Sequence, residues 1–551
     1  MQITDYLKEG ISLQSAVEEA AKRERQLFFP PGEYHVDTNG CVQRYCYFSN
    51  NDEGVKTIAL NLENLDDFTV SGYGALLVFH GRISPLCAFN CKSITVEGLS
   101  IDFVDSFVSD ADLICRDDGM AWFRFSGKHQ VKNGRMVFTE DCYDNLGGYL
   151  QFFPYLRDRK ELQKDVRPFS IPNKNVRFRD GLVGFKDEFG AFDTDAFIVK
   201  HEQRLCPGMV FDGCKDIRIR DVTIYHAAGM GFLVQNSENC LIDGAVVEPR
   251  NRRASVSDDA LHITDCRGKL LVKNGRFSGT LDDAINIHGV FRKLKSRIPG
   301  GKMFYLEAGH YQQQGVFNVR KDDVLELLHR ETGEPYAQLK LTQVTPINKS
   351  IIKVDFDEGE LPNTFVQGDP GWILGTQAEL DILETECRPL NGRGILASGM
   401  KRVRISGCTI HSSCAGVFIS GDHGFWYESG PVKEAVIENN LFDNCDYYDY
   451  GATQEPLAVF PELETLQEGF FYHGSIQVKN NLFRSARRPL ISILSAAEVT
   501  VSDNLFQLDD TYPFRWRNED GYHFTTPDSP PIALKHCGSV HCQDFSVIPS
   551  I

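Results

Sequence analysis

Most of the chain consists of short runs in which apolar and polar residues alternate, broken by corners of Asn, Asp or Gly. Five runs share one template: IRIRDVTIYH (217–226), VRISGCTIHS (403–412), AVIENNLFDN (435–444), IQVKNNLFRS (476–485) and VTVSDNLFQL (499–508). Each holds an apolar–x–apolar stripe, a corner, and a second short strand. Such a unit is too small to bury its own apolar residues, so it must stack on copies of itself. Alternation then sends one set of side chains inward and the other outward. Asn and Asp suit the corners because they tolerate left-handed backbone and bond locally. Corner residues such as Asn440, Asn481 and Asn504 are therefore expected to be turn formers, and inward Asn ladders are also open to them. The pattern predicts an all-β fold, a parallel β-helix built from residues 25–103, 206–291 and 386–507.

Ser12–Lys22 has helical spacing at Ala16, Val17 and Ala20, with Ser12 placed to cap it. It is followed by Leu27–Phe29, a Pro-Pro-Gly turn and Tyr34. A helix followed by this phrase resembles the N-terminal cap of a right-handed parallel β-helix, with the cap at 1–24. Two stretches leave the template, 104–205 and 292–385. They alternate like short antiparallel strands, as in Trp122–Phe125, Tyr149–Phe153, Val324–His329 and Ile351–Phe356, with a turn at Glu331–Glu334. Two inserted small antiparallel β-barrel-like domains are expected there, walling what would otherwise be an open groove. The tail 508–551, with Trp516, Tyr522, Pro527, Pro530 and Pro531, loses the repeat. It suits a cap or a segment packed back along the helix.

The stretch Ser257–Gly289 holds two near-copies of one phrase: Asp258-Asp259-Ala-Leu-His-Ile and Asp282-Asp283-Ala-Ile-Asn-Ile. Corresponding residues are 24 apart, 258 to 282 and 259 to 283. A coil of that length stacks the phrases about 4.8 Å apart, so four carboxylates should meet at a bend ahead of the strands. Like charges that close raise at least one pKa. A scaffold has no use for this. A glycosidase does, because it pairs a protonated carboxyl with an ionised one. The diagonal from Asp259 to Asp282 is expected to reach the roughly 6.5–9.5 Å that admits a water in an inverting enzyme. His262, Asn286 and His288, outward on the same strands, are candidates for binding sugar hydroxyls. Calcium binding or simple corner aspartates are the alternatives. No metal or other cofactor is expected: a calcium-dependent lyase would also want a basic residue on that face, and Lys269, Lys273 and Arg276 fall on the intervening strand.

Charge and composition narrow the partners. The formal net charge of −18 over 551 residues argues against a nucleic-acid partner. No apolar run approaches the ~20 residues of a membrane span. The start, MQITDYLKEG, shows no basic and apolar leader, so a cytoplasmic location is expected, or a secreted one if a leader precedes this sequence. The 16 cysteines are scattered, many beside strands, without metal-binding spacing, and are expected to be small buried thiols. An outer β-helix face suits a homodimer.

Three phrases resemble glycoside hydrolase family 110, the α-1,3-galactosidases: Asp259-Ala-Leu-His262, Asp282-Asp283-Ala-Ile-Asn-Ile-His288-Gly289, and Trp426-Tyr-Glu428-Ser-Gly-Pro431. The likeness covers about residues 25–510. It implies metal-independent hydrolysis with inversion, releasing non-reducing terminal α-1,3-linked galactose from blood group B-type or linear α-galactosyl oligosaccharides. By matching position, Asp282 would be the general acid, and Asp259 and Asp283 would hold and activate the water. Asp258 precedes the matching position and has no family role. Trp426 suits the apolar face of galactose, and Asp422 and Glu428 suit its hydroxyls. Two other readings stay open. A polygalacturonase-like hydrolase also sets three aspartates on a β-helix, but no Arg-Ile-Lys type phrase for a uronate carboxylate follows the acidic strands. A non-catalytic carbohydrate-binding β-helix would not depend on Asp282.

Overall fold

A computed structural model describes residues 12–549, except 139–147, 165, 167, 191, 202–203, 298–300, 317–318, 360–365, 376, 448–454 and 513–523. The helix Leu13–Lys22 opens the described chain. Ser12 caps it by accepting the Ser15 N–H, and Ala16, Val17 and Ala20 are buried. Three parallel stacks of strands follow and form a parallel β-helix. Two of them join into one sheet of 22 strands through the long bent strands Asp66–Phe79 and Lys92–Phe103. The third stack runs in parallel from Gly54–Glu63 to Ile532–Lys535 and includes Leu261–Thr264 and Ile285–Val290; Val42–Cys46 and Glu428–Ser429 join it antiparallel, making a sheet of 13 strands.

Pattern becomes packing through register. Along the first stack Ile217, Cys240, Leu270, Leu380, Val403, Ala435, Ile476 and Val499 align, coil on coil. All are buried, and each large aliphatic so placed contributes about 1.5–3 kcal/mol. The corners behave as their composition implies: Asn236, Asn274, Asn439, Asn480 and Asp503 take φ between 52° and 58°, a region that short polar side chains tolerate.

Both template-breaking stretches are antiparallel. Strands between Val108 and Lys200 make one eight-stranded sheet, whose order ends at Glu161–Leu162 on one side and Arg177–Arg179 on the other, beside a separate hairpin His129–Lys132/Arg135–Phe138. The second stretch is a closed six-stranded barrel, Arg292–Arg297 to Pro370–Leu374, with its own core of Leu294, Phe304, Leu325, Leu339 and Ile352. Its Val324–Leu328/Pro335–Pro346 hairpin turns at 331–334, as expected.

The coils extend further than the template suggests. Glu379–Leu383 already pairs in parallel with Arg267–Lys273, so the helix resumes before 386. The tail adds one more coil: Ile532–Lys535, Ser539–Cys542 and Ser546–Ile548 all pair in parallel with the preceding coil. This coil escapes the pattern because Ser539–Cys542 is wholly exposed and has lost its apolar stripe. Trp516 and Tyr522 lie outside the described residues. Most described cysteines are buried as free thiols.

Candidate active site

Backbone register builds the acidic cluster. Leu261 pairs with Ile285, His262 with Asn286 and Thr264 with His288, a coil of 24 residues. The Ala260 N–H donates to the Asp283 carbonyl, and the Ala284 N–H to that of Arg393. Asp259, Asp283 and Arg393 therefore stand in one column over three coils. Gly392 sits beside Asp282 with φ +128°; a Cβ there would lie 2.5 Å from the Asp282 carbonyl carbon. Only glycine lets the third coil approach this closely.

The charges are compensated from outside the acidic phrases. Buried Asp258 accepts from Lys200 Nζ at 2.8 Å, Arg204 Nε at 3.1 Å and Ser257 Oγ at 2.8 Å. Burial pushes its pKa up, but Lys200 and Arg204 outweigh this and hold it below the ordinary value. Arg204 also donates to Asp282 Oδ2 at 3.0 Å. Arg393 closes on Asp283 through its backbone N–H (2.6 Å) and Nε (2.9 Å) to Oδ1, and Nη2 lies 2.9 Å from Oδ2. Burial, and then Asp282, still raise Asp283 to about 6 against the pull of Arg393. Burial, Asp282 and Asp283 push Asp259 well above its usual range. Asp282 has the most open side chain of the four, 29% exposed.

Hydrogen-bond counting locates one proton. The Gly289 carbonyl can only accept, so His288 Nδ1, 2.7 Å away, carries a hydrogen. The two Nε2 atoms of His288 and His262, 3.1 Å apart, share a second. Asp259 Oδ2 and His262 Nδ1, at 2.7 Å, need a third. Two neutral imidazoles bring only two. The Asp259–His262–His288 chain therefore holds one proton more than two neutral imidazoles supply. Burial and the neighbouring His288 push His262 well below its usual pKa, and burial with Asp282 and Asp283 pushes Asp259 well above its own, which together favour the proton on Asp259.

One oxygen each of Asp259, Asp282 and Asp283 lies within 4.8 Å of the others. This is shorter than the separation expected for the Asp259–Asp282 diagonal. The cause is a shared donor: the Asp283 N–H lies 3.1 Å from both Asp259 Oδ1 and Asp282 Oδ1, drawing the two together. Such spacing also suits a cation, but two guanidinium groups already supply positive charge here.

The other predicted residues divide into two groups. His262 and His288 are fully buried behind Asp259, engaged with it and with each other rather than open to a hydroxyl. Asn286 is buried, and its Oδ1 has no protein partner. Asp422 spends both oxygens on the backbone N–H groups of Gly424, Phe425, Trp426 and Tyr427, so it shapes the loop instead of binding hydroxyls. Glu428 accepts from Asn50 Nδ2 at 2.5 Å and lies 3.7 Å from His288 Nε2. The loop reaches the site because Glu428–Ser429 pairs antiparallel with Val290 and Gly289. The Arg204 guanidinium stands 5.3 Å from the Trp426 ring centroid. Lys200, Arg204, Arg393 and Asn50 were not anticipated. Arg393 had a signal: Gly392-Arg393-Gly394-Ile395-Leu396 is the next coil's counterpart of Asp282-Asp283-Ala-Ile-Asn286, hidden by the intervening barrel. Lys200 and Arg204, at the end of the first insertion, had none.

A β-helix that stacks acidic pairs at a coil corner, with three of the carboxyls within 4.8 Å of one another, has the site of a glycoside hydrolase. The sequence relatives agree. Residues 305–370 match the family model of the GLAA-B β-barrel domain II, within the closed barrel. The chain is 25% identical over 541 residues to α-1,3-galactosidase B of Bacteroides thetaiotaomicron, covering 93% of this chain and 84% of the relative. It is 24% identical over 518 residues to α-1,3-galactosidase A of Bacteroides fragilis, covering 91% and 85%. Among solved structures, the A-module of Azotobacter vinelandii mannuronan C-5 epimerase AlgE6 aligns over 96% of this chain and 95% of its own, with 10% identity and a TM-score of 0.37. The chain resembles glycoside hydrolase family 110 along nearly its whole length.

Proposed function

We propose that the protein is an exo-acting α-1,3-galactosidase that removes non-reducing terminal galactose from oligosaccharides, with inversion and without a metal. The observation that carries this reading is the cluster Asp259, Asp282 and Asp283, three carboxyls within 4.8 Å of one another in a chain whose relatives are named α-1,3-galactosidases. Asp282, the most open of the three, protonates the leaving oxygen. Asp259 and Asp283 hold a water at the anomeric carbon, and the base takes its proton as the new C–O bond forms. The productive state has the shared proton on Asp282. Asn286 Oδ1 and the Trp426 face bind the galactose. The short Asp259–Asp282 approach does not support inversion; immobility does. Arg393 pins Asp283, and His262 and the Asp283 N–H pin Asp259, so neither can swing onto carbon as a nucleophile.

The test is proton NMR of a fresh reaction on a galactosyl-α-1,3-galactose oligosaccharide with EDTA present. β-Galactose appearing before mutarotation is the expected result. Initial α-galactose would replace inversion by retention, and loss of activity in EDTA would replace the guanidinium-compensated site by a metal site. No release from any α-galactoside would sink the reading.

A further inference from the structure

The mouth of the acidic site carries aromatic rings that the core does not need. Phe425 is 64% exposed and Tyr311 63% exposed, among the most open large apolar residues of the described chain. They belong to different elements, the loop before Glu428 and the short 3₁₀ turn Tyr311–Gln313 in the barrel insertion. His310 joins them: its ring centroid lies 4.4 Å from that of Tyr311, 5.6 Å from Phe425 and 4.3 Å from Trp426. Trp426 in turn meets Phe425 edge-on at 5.3 Å. At its inner end the strip touches the chemistry, because the guanidinium beside Trp426 is that of Arg204, which donates to Asp282.

Both carriers are held rigid. Four backbone N–H groups of 424–427 converge on Asp422. Gln313 Nε2 donates to the Trp426 carbonyl at 2.6 Å, and the Asn50 N–H to the Gln312 carbonyl. A fixed, water-exposed aromatic strip has no folding advantage. It is preorganised for a ligand with apolar faces.

We propose that Tyr311 and Phe425, with His310 behind them, form the aglycone subsite, where the sugars on the leaving side of the bond stack. This rests on the proposed function. Direction follows from the acid: Asp282 protonates the leaving oxygen, and the strip begins on its side of the cluster. Leaving-group sugars must emerge past the edge of Trp426 and continue across Tyr311 and Phe425. These two residues thus set preference for chain length and branching without touching the galactose to be released.

The test compares two substrates. α-Galactosyl fluoride has no sugar aglycone; a galactosyl-α-1,3-galactose-terminated trisaccharide has two further units. In Tyr311→Ala and Phe425→Ala, kcat/KM for the trisaccharide should fall by about 3- to 10-fold each, mainly through KM, while fluoride hydrolysis stays at the wild-type rate. Phe425→Tyr should restore the trisaccharide rate. Equal losses on both substrates, or no loss on either, would overturn the proposal. A wild type that cleaves the fluoride but gains nothing from the trisaccharide would also overturn it. Cleavage of neither substrate by the wild type would remove the proposed function itself, and the subsite with it.

Discussion

Two columns of this β-helix use the same device with opposite results. At one corner Asn440, Asn481 and Asn504 stack in consecutive coils. Asn440 Nδ2 donates to Asn481 Oδ1 and Asn481 Nδ2 to Asn504 Oδ1, both at 3.0 Å. The same amides also donate to the Ile405, Ile437 and Val478 carbonyls, and accept backbone N–H groups from the adjacent coil. Every amide is both donor and acceptor, so stacking satisfies the column. At the other corner Asp258 and Asp259 stack on Asp282 and Asp283. A carboxylate only accepts, so the same stacking leaves charge over. That charge is met by Lys200 and Arg204 from the first insertion, Arg393 from the following coil, and one retained proton. A repeat can complete an amide ladder from its own residues; a carboxylate stack needs residues from outside, and what remains uncompensated becomes chemistry.

The sharpest break in this comparison is to neutralise the stack. Asp259→Asn, Asp282→Asn and Asp283→Asn should each lower the hydrolysis rate by at least ~10²-fold, with unfolding temperature nearly unchanged in Asp259→Asn and Asp282→Asn, which leave no cation without a carboxylate. Wild-type activity in any of them would take that residue out of the mechanism. Asp258→Asn should differ in kind. It leaves Lys200 and Arg204 buried without their shared counter-ion, a loss of about 3–5 kcal/mol, so its main effect should appear in thermal unfolding. A variant as stable as the wild type would show that Asp258 is not the anchor of those cations.

The converse is to put a charge into the amide ladder. Asn481→Asp removes donors to Ile437 and Asn504 and buries a carboxylate facing the Asn504 Oδ1. Destabilisation of about 2–4 kcal/mol at pH 7 is expected, with turnover per folded molecule intact, since the ladder makes no contact with the acidic cluster. The sign with pH is fixed: burial raises the folded-state pKa of the new carboxyl, so its penalty should shrink as pH falls through that value. Asn481→Ala should lose less at pH 7 and show no such recovery. Urea unfolding at pH 5 and 7 separates the two.

These columns also show what was legible beforehand. The Asn corners, the 24-residue acidic spacing and the apolar stripes are local signals repeated at a period, and each appeared in its expected place. The coil at 532–548 did not announce itself, because a terminal coil covered on one side only needs little apolar stripe. Nor did Arg204 and Lys200: charge compensation acts through space, and a residue 54 or more positions before its partner leaves no pattern in the chain. His262 and His288 were legible as site residues but not in their manner of use. Alternation says that a side chain points outward; whether it then meets a ligand or its coil neighbour depends on what covers that face.

Arg393 offers the finest test, because it is the one compensating cation that the repeat itself supplies. It stands in the Asp259–Asp283 column and holds Asp283 down to about 6 against burial and Asp282. As the base, Asp283 must be ionised, so the acid limb of kcat/KM should lie near pH 6 and activity should rise through it. Removing the guanidinium lets burial act unopposed, raises the Asp283 pKa and moves the limb to higher pH. Arg393→Gln should therefore lose about 5-fold more activity at pH 6 than at pH 8 for a one-unit rise in the Asp283 pKa, and more for a larger rise. A pH–rate profile that drops uniformly without moving would make Arg393 a packing residue and leave the tuning of the base to the insertions alone.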